Sequence, residues 1–455
     1  MDKQSSGPKL VDGSRVAVMG GGPAGSFFSY FLLQMAERVG LDVHLDIYDP
    51  KDFACSGPKG CNMCGGIISE SLVQNLAAEG INLPSTVMQR ALDSYFLHMD
   101  VGDVRIETPL QEMRIGAVHR GAGPRGSVAK PESSFDGYLQ QLAVERGART
   151  VRSKVEAVAW DQGRPQVTVT GGTATTYDLL AVAVGVNSPS LKIFEAMGLP
   201  YRPPRSTKTY ICEYYLGREV IARYLGSSMH VFLLNIPNLE FAALVPKGEY
   251  VTFCMLGHEI DKAMVQAFLN SPEVRRCLPP GWEEPKDFCH CSPRINTDSA
   301  VEPFADRLVF VGDCGTTRLY KDGIGAAYRA AKAAARTAVF EGLGRDDFLR
   351  FYHPACQMIR ADNRIGKLVF AITGLIQRFR FLRRGLWRMV SLEQLKHGSQ
   401  RRMSTVLWDT FTGSAPYQDV FLRSCHPAFL FRFLWDIILG NLPSGHARRL
   451  RRTSL

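Results

Sequence analysis

The stretch Arg15-Val-Ala-Val-Met-Gly20-Gly-Gly22-Pro-Ala-Gly25 runs an apolar segment straight into a Gly-x-Gly-x-x-Gly pattern. Residues 15–20 suit a buried parallel strand, and the breaker-free apolar segment from Ser26 to Arg38 suits the helix after it. Val43, Leu45 and Ile47 then alternate as a second strand that ends at Asp49. Strand, glycine turn, helix, strand and acid, in that order, make a dinucleotide-binding βαβ unit. Gly20 permits the tight turn, Gly22 lets the backbone approach a pyrophosphate, and Gly25 lets the helix pack on the strand. Ala24 lies at the helix start, whose N–H groups and positive dipole end face phosphates. Asp49 is placed to accept hydrogen bonds from ribose hydroxyls. Without a ligand the same residues would be a tight turn and a strand-end acid.

Two later stretches extend this reading. Leu308-Val-Phe-Val-Gly312-Asp313 is a strand ending in Gly-Asp, and Asp322-Gly323-Ile324-Gly325 opens an Ala-rich helix reaching about Phe340. A carboxylate at a strand end can bind a ribityl hydroxyl, and a Gly-rich helix start can face the N1–C2=O edge of a flavin. The expected dinucleotide is therefore FAD. Between them lies Tyr177-Asp-Leu-Leu-Ala-Val-Ala-Val-Gly185-Val-Asn187-Ser188. The trio resembles the flavoproteins of the p-hydroxybenzoate hydroxylase fold and, within them, the geranylgeranyl reductase-like branch. Four further stretches carry the branch resemblance: Cys64-Gly65-Gly66, Ser134-Phe135-Asp136-Gly-Tyr-Leu139 before Glu145-Arg-Gly-Ala148, Leu244-Val-Pro246-Lys247-Gly248-Glu249, and the Gly-Asp segment itself.

The resemblance covers about residues 15–340. It implies FAD held at Gly20, Gly22, Ala24, Gly25, Asp49, Cys64, Gly65, Val155, Gly185, Gly312, Asp313, Gly323, Ile324 and Gly325. Arg120 and Arg125, in a Gly-rich loop, are candidates for the pyrophosphate or a substrate anion, or are surface charge. Two positions depart from the family pattern. Val184 stands where members usually carry Asp before the middle motif's Gly, which puts direct reduction by NADPH in question. Ala242-Ala243 follows Phe241 where the reductases usually place an aromatic pair, which does the same for polyprenyl specificity. No second Gly-x-Gly-x-x-Gly unit follows a strand, and Gly171-Gly172 reads as a hairpin turn. Electrons are thus expected from a protein donor or from transiently bound NADPH.

Cys55, Cys61 and Cys64 lie in the loop after Asp49. Cys61 and Cys64 could form a redox dithiol, helped by nearby Lys59. Alternatively the three could join Cys289-His290-Cys291 around zinc or an iron–sulfur cluster, or be plain thiols with Cys64 lining the flavin pocket. No metal site is assigned. Lys321 could stabilise an anionic reduced flavin or be a solvated turn residue. His98, His119, His230 and His258 show no triad or ligand spacing and read as core or surface. No nucleophile elbow, P-loop or HExxH element is present.

Strands Lys208–Leu216, Met229–Asn235, Leu239–Val245 and Tyr250–Leu256 read as an antiparallel substrate sheet. Its Phe, Leu, Met and Tyr suggest either an apolar cavity or a plain sheet core. Lys+Arg 54 against Asp+Glu 44 makes the chain +10. The charge is not spread evenly, because residues 341–455 hold 19 basic and 8 acidic residues, so the rest is close to neutral. That split argues against a uniformly basic nucleic-acid binder, and no nucleic-acid-binding module accompanies the basicity. Ile365, Leu368, Ile372, Leu375, Phe379, Leu382, Leu386 and Val390 recur in steps of three or four, beside Arg378, Arg380, Arg383, Arg384, Arg388 and Trp387. One cationic amphipathic helix on an anionic membrane, or a helical subdomain or dimer contact, would produce that pattern. A second apolar segment, Phe429–Leu439, carries an Arg432–Asp436 pair at helical spacing, and the tail ends in Arg448, Arg449, Arg451 and Arg452.

The polar N-terminus and the odd number of cysteines point to a cytoplasmic protein, peripheral on the membrane if the basic helices dock there. The expected fold is an α/β FAD-binding Rossmann-type domain (15–190 and 301–340), an inserted antiparallel-sheet substrate domain (191–300) and a basic helical region (341–455). The expected function is FAD-dependent oxidation or reduction of an apolar, isoprenoid or lipid-like molecule. A flavin monooxygenase and an electron-transfer module docking a protein partner are the alternatives.

Overall fold

A computed structural model describes residues 7–62, 64–108, 115–395 and 401–442. The chain forms two compact units. The first comprises Met1–Asn62, His119–Ser206 and Arg294–Ala361; the second comprises Met63–Val118, Thr207–Pro293 and Asp362–Leu455.

The first unit is built on a six-stranded sheet in the order Phe304–Ala305, Leu308–Phe310, Leu179–Val182, Ser14–Met19, Val43–Tyr48, Arg149–Val151. All neighbours run parallel except the short edge strand Phe304–Ala305. The apolar runs at 16–19, 179–182 and 308–310 are buried, as strands covered on both faces must be. Helix Pro23–Arg38 follows the first strand with residues 23–36 all buried. A hairpin-linked sheet, Val155–Asp161, Arg164–Val169 and Thr175–Thr176, turns back at Gly171.

The second unit holds a seven-stranded sheet. Its order is Cys289–Cys291, Tyr210–Tyr215, Tyr250–Gly257, Leu239–Lys247, Ser228–Phe232, Ser94–Met99, Gly102–Glu107. The four expected strands are present within a few residues. The sheet is not wholly antiparallel: Ser228–Phe232 runs parallel to Ser94–Met99. Two strands therefore come from residues expected in the dinucleotide domain, and the boundaries 15–190 and 191–300 must be redrawn. The apolar residues read as a possible cavity lining are mostly core, since Tyr214, Phe232, Leu244, Phe253 and Met255 pack with Phe268 and Leu269.

The basic C-terminal region also differs from expectation. The stripe Ile365–Val390 is two helices, His353–Arg378 and Arg380–Gln394, broken at Phe379, whose backbone is extended. Tertiary bonds hold the break in place. Gln377 Nε2 donates to the carbonyls of Leu234 (2.6 Å) and Leu239 (3.0 Å), and Arg383 forms a bidentate pair with Asp100 at 2.6 and 3.1 Å. Residues 362–442 thus belong to the sheet unit rather than to a region of their own. Leu386 and Val390 are buried, whereas Leu368, Ile372, Leu375 and Phe379 are exposed. Helix Pro427–Asn441 contains the expected Arg432–Asp436 pair (2.7 Å), with Arg388 bonding the same buried carboxylate at 3.1 Å. The basic run at 448–452 lies outside the described residues. No described helix is long and apolar enough to cross a membrane.

Candidate dinucleotide site

In the first unit the motifs converge at the carboxyl ends of the parallel strands, where open α/β sheets bind ligands. The Gly20 N–H donates to the Tyr48 carbonyl, Ala183 N–H to Met19, and Val311 N–H to Val182, each at 2.8 Å. The glycine turn, the segment before Gly185 and the Gly-Asp turn are therefore adjacent by strand pairing. Gly312 shows how close the approach is. At φ +74 it sits in the left-handed region, and a Cβ there would meet the Ala24 methyl at 2.6 Å. Gly185 also has positive φ, +73, in the turn after Leu179–Val182.

Helix Pro23–Arg38 begins with Pro, has no acid in its first turn, and is capped by no side chain. Its first N–H groups therefore remain available to an anion. Asp49 is buried and accepts the Gly21 N–H on one oxygen (2.7 Å) and the Lys51 N–H on the other (2.8 Å). Burial holds its carboxyl above the ordinary value, against the pull of those two N–H groups. Beside Gly21, the buried Gln140 Nε2 has no hydrogen-bond partner among the described residues. An orphaned donor, open N–H groups and a carboxylate fit the phosphates and ribose of a dinucleotide.

An unforeseen polar chain runs along this loop. Arg120 and Asp136, 8% and 0% exposed, form a bidentate pair at 2.5 and 2.9 Å. Asp136 also accepts from Asn62 Nδ2, Asn62 Oδ1 accepts from Lys51 Nζ (2.8 Å), and that ammonium also donates to the Cys61 carbonyl (2.6 Å). Arg120 is thus not surface charge: it neutralises a buried acid. Lys51 stands two residues beyond Asp49, and that proximity was the available sequence signal.

Asp313 is exposed to solvent at the turn after Leu308–Phe310, with protein packed closely around it. The surrounding protein raises its carboxyl; a Thr317 hydrogen bond and the Arg120 charge oppose that. Helix Gly323–Arg336 opens from Asp322 with no side-chain cap, and Ile324 and Gly325 are buried in its first turn. Tyr320 (φ 58) and Asp322 (φ 54) both adopt left-handed backbone, a strain of about 1–3 kcal/mol each that clusters at functional turns. Lys321 lies half-buried between them. Val155 is buried in the apolar core with Met19 and Tyr48.

The cysteine loop is divided: Cys61 falls in the first unit, Cys64 and Gly65 in the second. None of the eleven cysteines is in a disulfide. In the second unit Cys64 Sγ accepts the Gly66 N–H at 3.4 Å, and Gly65 lies against Cys254. Among the described residues the one close grouping of potential metal ligands is not this cluster but His98, His230 and Cys277.

Replacing Asp49 with Asn should weaken FAD binding about tenfold, or 1.4 kcal/mol, measured by flavin titration of the apoprotein. Because the folded carboxyl is raised, its stability contribution is full below the ordinary value of about 3.9 and is lost as pH rises through the raised one. The thermal midpoint of wild-type apoprotein should therefore fall relative to the variant as pH rises from about 4.

No protein-family model and no curated protein matches the sequence. Solved structures do match. A flavoprotein/dehydrogenase from Cytophaga hutchinsonii aligns at 14% identity over 94% of this chain and 100% of its own, TM-score 0.59. Halogenase PltM in complex with phloroglucinol and FAD aligns at 11% identity over 97% and 94%, TM-score 0.56. 2-Methyl-3-hydroxypyridine-5-carboxylic acid oxygenase aligns at 16% identity over 81% and 93%, TM-score 0.55. The chain has the fold of the FAD-binding Rossmann-type flavoproteins.

Proposed function

We propose that this chain is an FAD-dependent oxidoreductase of the oxygen-using, monooxygenase kind. The observation that carries the cofactor is the meeting of Gly20–Gly25, Asp49 and Gly312–Asp313 at one end of the parallel sheet. When bound, FAD would supply the redox chemistry, and the protein binding and orientation. The helix at Pro23 would receive the pyrophosphate, Asp49 the ribose hydroxyls, and Asp313 a ribityl hydroxyl. The similar folds of a halogenase and an oxygenase support the oxygen-using reading over the reductase one, although a fold of this kind hosts many activities.

The test is the flavin spectrum of the purified protein, followed by anaerobic NADPH and then by oxygen uptake. One FAD per chain, bleached by NADPH and reoxidised rapidly by oxygen, is the expected result. Absence of bound flavin, with none taken up on titration, overturns the reading. Bleaching by dithionite but not NADPH would agree with Val184 and assign the electrons to a protein donor.

A second reading, reduction of an unsaturated lipid or isoprenoid at an anionic membrane surface, is favoured by two exposed apolar faces. Leu368, Ile372 and Leu375 line one helix, and Phe431, Leu434, Trp435 and Ile438 line Pro427–Asn441. Full-length protein should float with anionic vesicles, and Ile372→Asp with Trp435→Asp should abolish flotation. Equal flotation by both forms removes this reading.

A further inference from the structure

The second unit buries two histidines and a cysteine whose donor atoms point at one another. His98 lies on Ser94–Met99, His230 on Ser228–Phe232, and Cys277 follows the short helix Pro272–Arg275. All three are nearly inaccessible to solvent. Parallel pairing sets Phe232 opposite His98 and Phe96 opposite His230, so both imidazoles stand on one face of the sheet, their ring centroids 5.1 Å apart and their planes 11° from parallel. His98 Nε2 is 2.9 Å from His230 Nδ1, and Cys277 Sγ is 3.6 Å and 3.5 Å from those two nitrogens.

The outer ring nitrogens decide what the inner ones present. His230 Nε2 lies 3.1 Å from the Leu225 carbonyl, which only accepts, so the proton belongs there and Nδ1 offers a lone pair inward. His98 Nδ1 lies 3.0 Å from an oxygen of Asp103, its cross-strand partner. The approach is off the N–H axis and makes no well-formed hydrogen bond, but a carboxylate beside Nδ1 still favours a proton on it. Nε2 then offers a second lone pair inward. Two lone pairs 2.9 Å apart repel, and a single thiol proton can satisfy only one of them. An electropositive centre among the three atoms removes the conflict.

We propose that His98 Nε2, His230 Nδ1 and Cys277 Sγ bind one transition-metal ion of the zinc class. Tetrahedral coordination at ordinary Zn–N and Zn–S lengths sets such atoms about 3.3–3.6 Å apart. Both sulfur–nitrogen separations match, and the nitrogen pair needs to open by a few tenths of an ångström. Asp103 and the Leu225 carbonyl are the outer partners that orient ligating imidazoles, and Arg276 also pairs with Asp103 at 3.2 Å. Binding releases the Cys277 thiol proton to solvent and forms a sulfur–metal bond, with no redox change. Three protein ligands leave the fourth position for a water molecule. The ion would tie the two sheet strands to the turn after Pro272–Arg275.

Element analysis of full-length protein, prepared without chelator or immobilised metal, should give about one zinc per chain. Metal-stripped protein titrated with Co²⁺ should develop thiolate-to-cobalt absorption, saturating at one equivalent. Cys277→Ala and His230→Gln should abolish that absorption, whereas Cys289→Ser should retain it, with flavin content and circular dichroism reporting folding. If those variants fail to fold, wild-type protein with and without Zn²⁺ is alkylated in mild denaturant, and zinc should protect Cys277. Less than a tenth of an equivalent of metal after incubation with Zn²⁺ and Co²⁺ overturns the proposal, as does full stoichiometry in folded Cys277→Ala or equal alkylation of Cys277.

Discussion

Gly25→Ala should yield protein that retains no flavin. A Cβ at this position would lie 1.9 Å from the Gly20 carbonyl oxygen and 3.1 Å from a Val18 methyl. The nearest obstacle is backbone of the phosphate turn, so no side-chain rotation relieves it, and the helix must move away from the strand. Overpacking of this kind costs about 1–3 kcal/mol in a core. Here the same movement would also withdraw the helix N–H groups from the place proposed for the pyrophosphate. The expected result is at least a hundredfold loss of FAD affinity, about 2.7 kcal/mol, read by flavin titration, with a lower thermal midpoint. Gly374→Ala is the control, since a Cβ there meets nothing within 4 Å. It should leave flavin content unchanged and stabilise its helix slightly. Wild-type flavin occupancy in Gly25→Ala would mean that the cofactor does not use this turn.

Arg120→Ala should destabilise the protein by about 3–5 kcal/mol, because it strands a buried carboxylate without its counter-charge. Asp136 is fully buried and its remaining side-chain partner above is the Asn62 amide. Denaturant unfolding would show the midpoint shift, and flavin titration would show whether Asn62 and Lys51 lose their places along the glycine loop. The double variant Arg120→Met with Asp136→Leu should recover much of the stability, since removing both charges also removes the burial cost. It should not recover flavin affinity if the polar chain positions the loop. A double variant as unstable as Arg120→Ala would show that the cost lies in packing rather than in charge.

The glycine turns were legible because their chemistry is local. Gly20 to Gly25 follow an apolar run and precede a breaker-free segment, and the strand and helix begin within a few residues of where that pattern places them. The Arg432–Asp436 pair was legible for the same reason, being one helical turn apart. Arg120 shows where the reading ends. Nothing near it in sequence announces that Asp136, 16 positions on, will be buried and will take both ends of its guanidinium. The apolar stripe after Ile365 was correct in content and wrong in continuity. A three-to-four-residue recurrence continues through Phe379, but Gln377 and Arg383 are pulled onto the sheet and onto Asp100.

The amino-acid sequence by itself determined the glycine turn, its helix, the strand-end acids and the hairpins, because backbone preference and short-range periodicity act between neighbours. Only the tertiary structure decided which distant strands share a sheet, which charges are spent on one another, and that residues 362–442 join the sheet unit. The buried His98, His230 and Cys277 belong to the second kind. His98 and His230 are 132 positions apart, and His98 and Cys277 are 179 apart. No ligand spacing links them in the chain; strand pairing and the closing of the sheet core bring their donor atoms together.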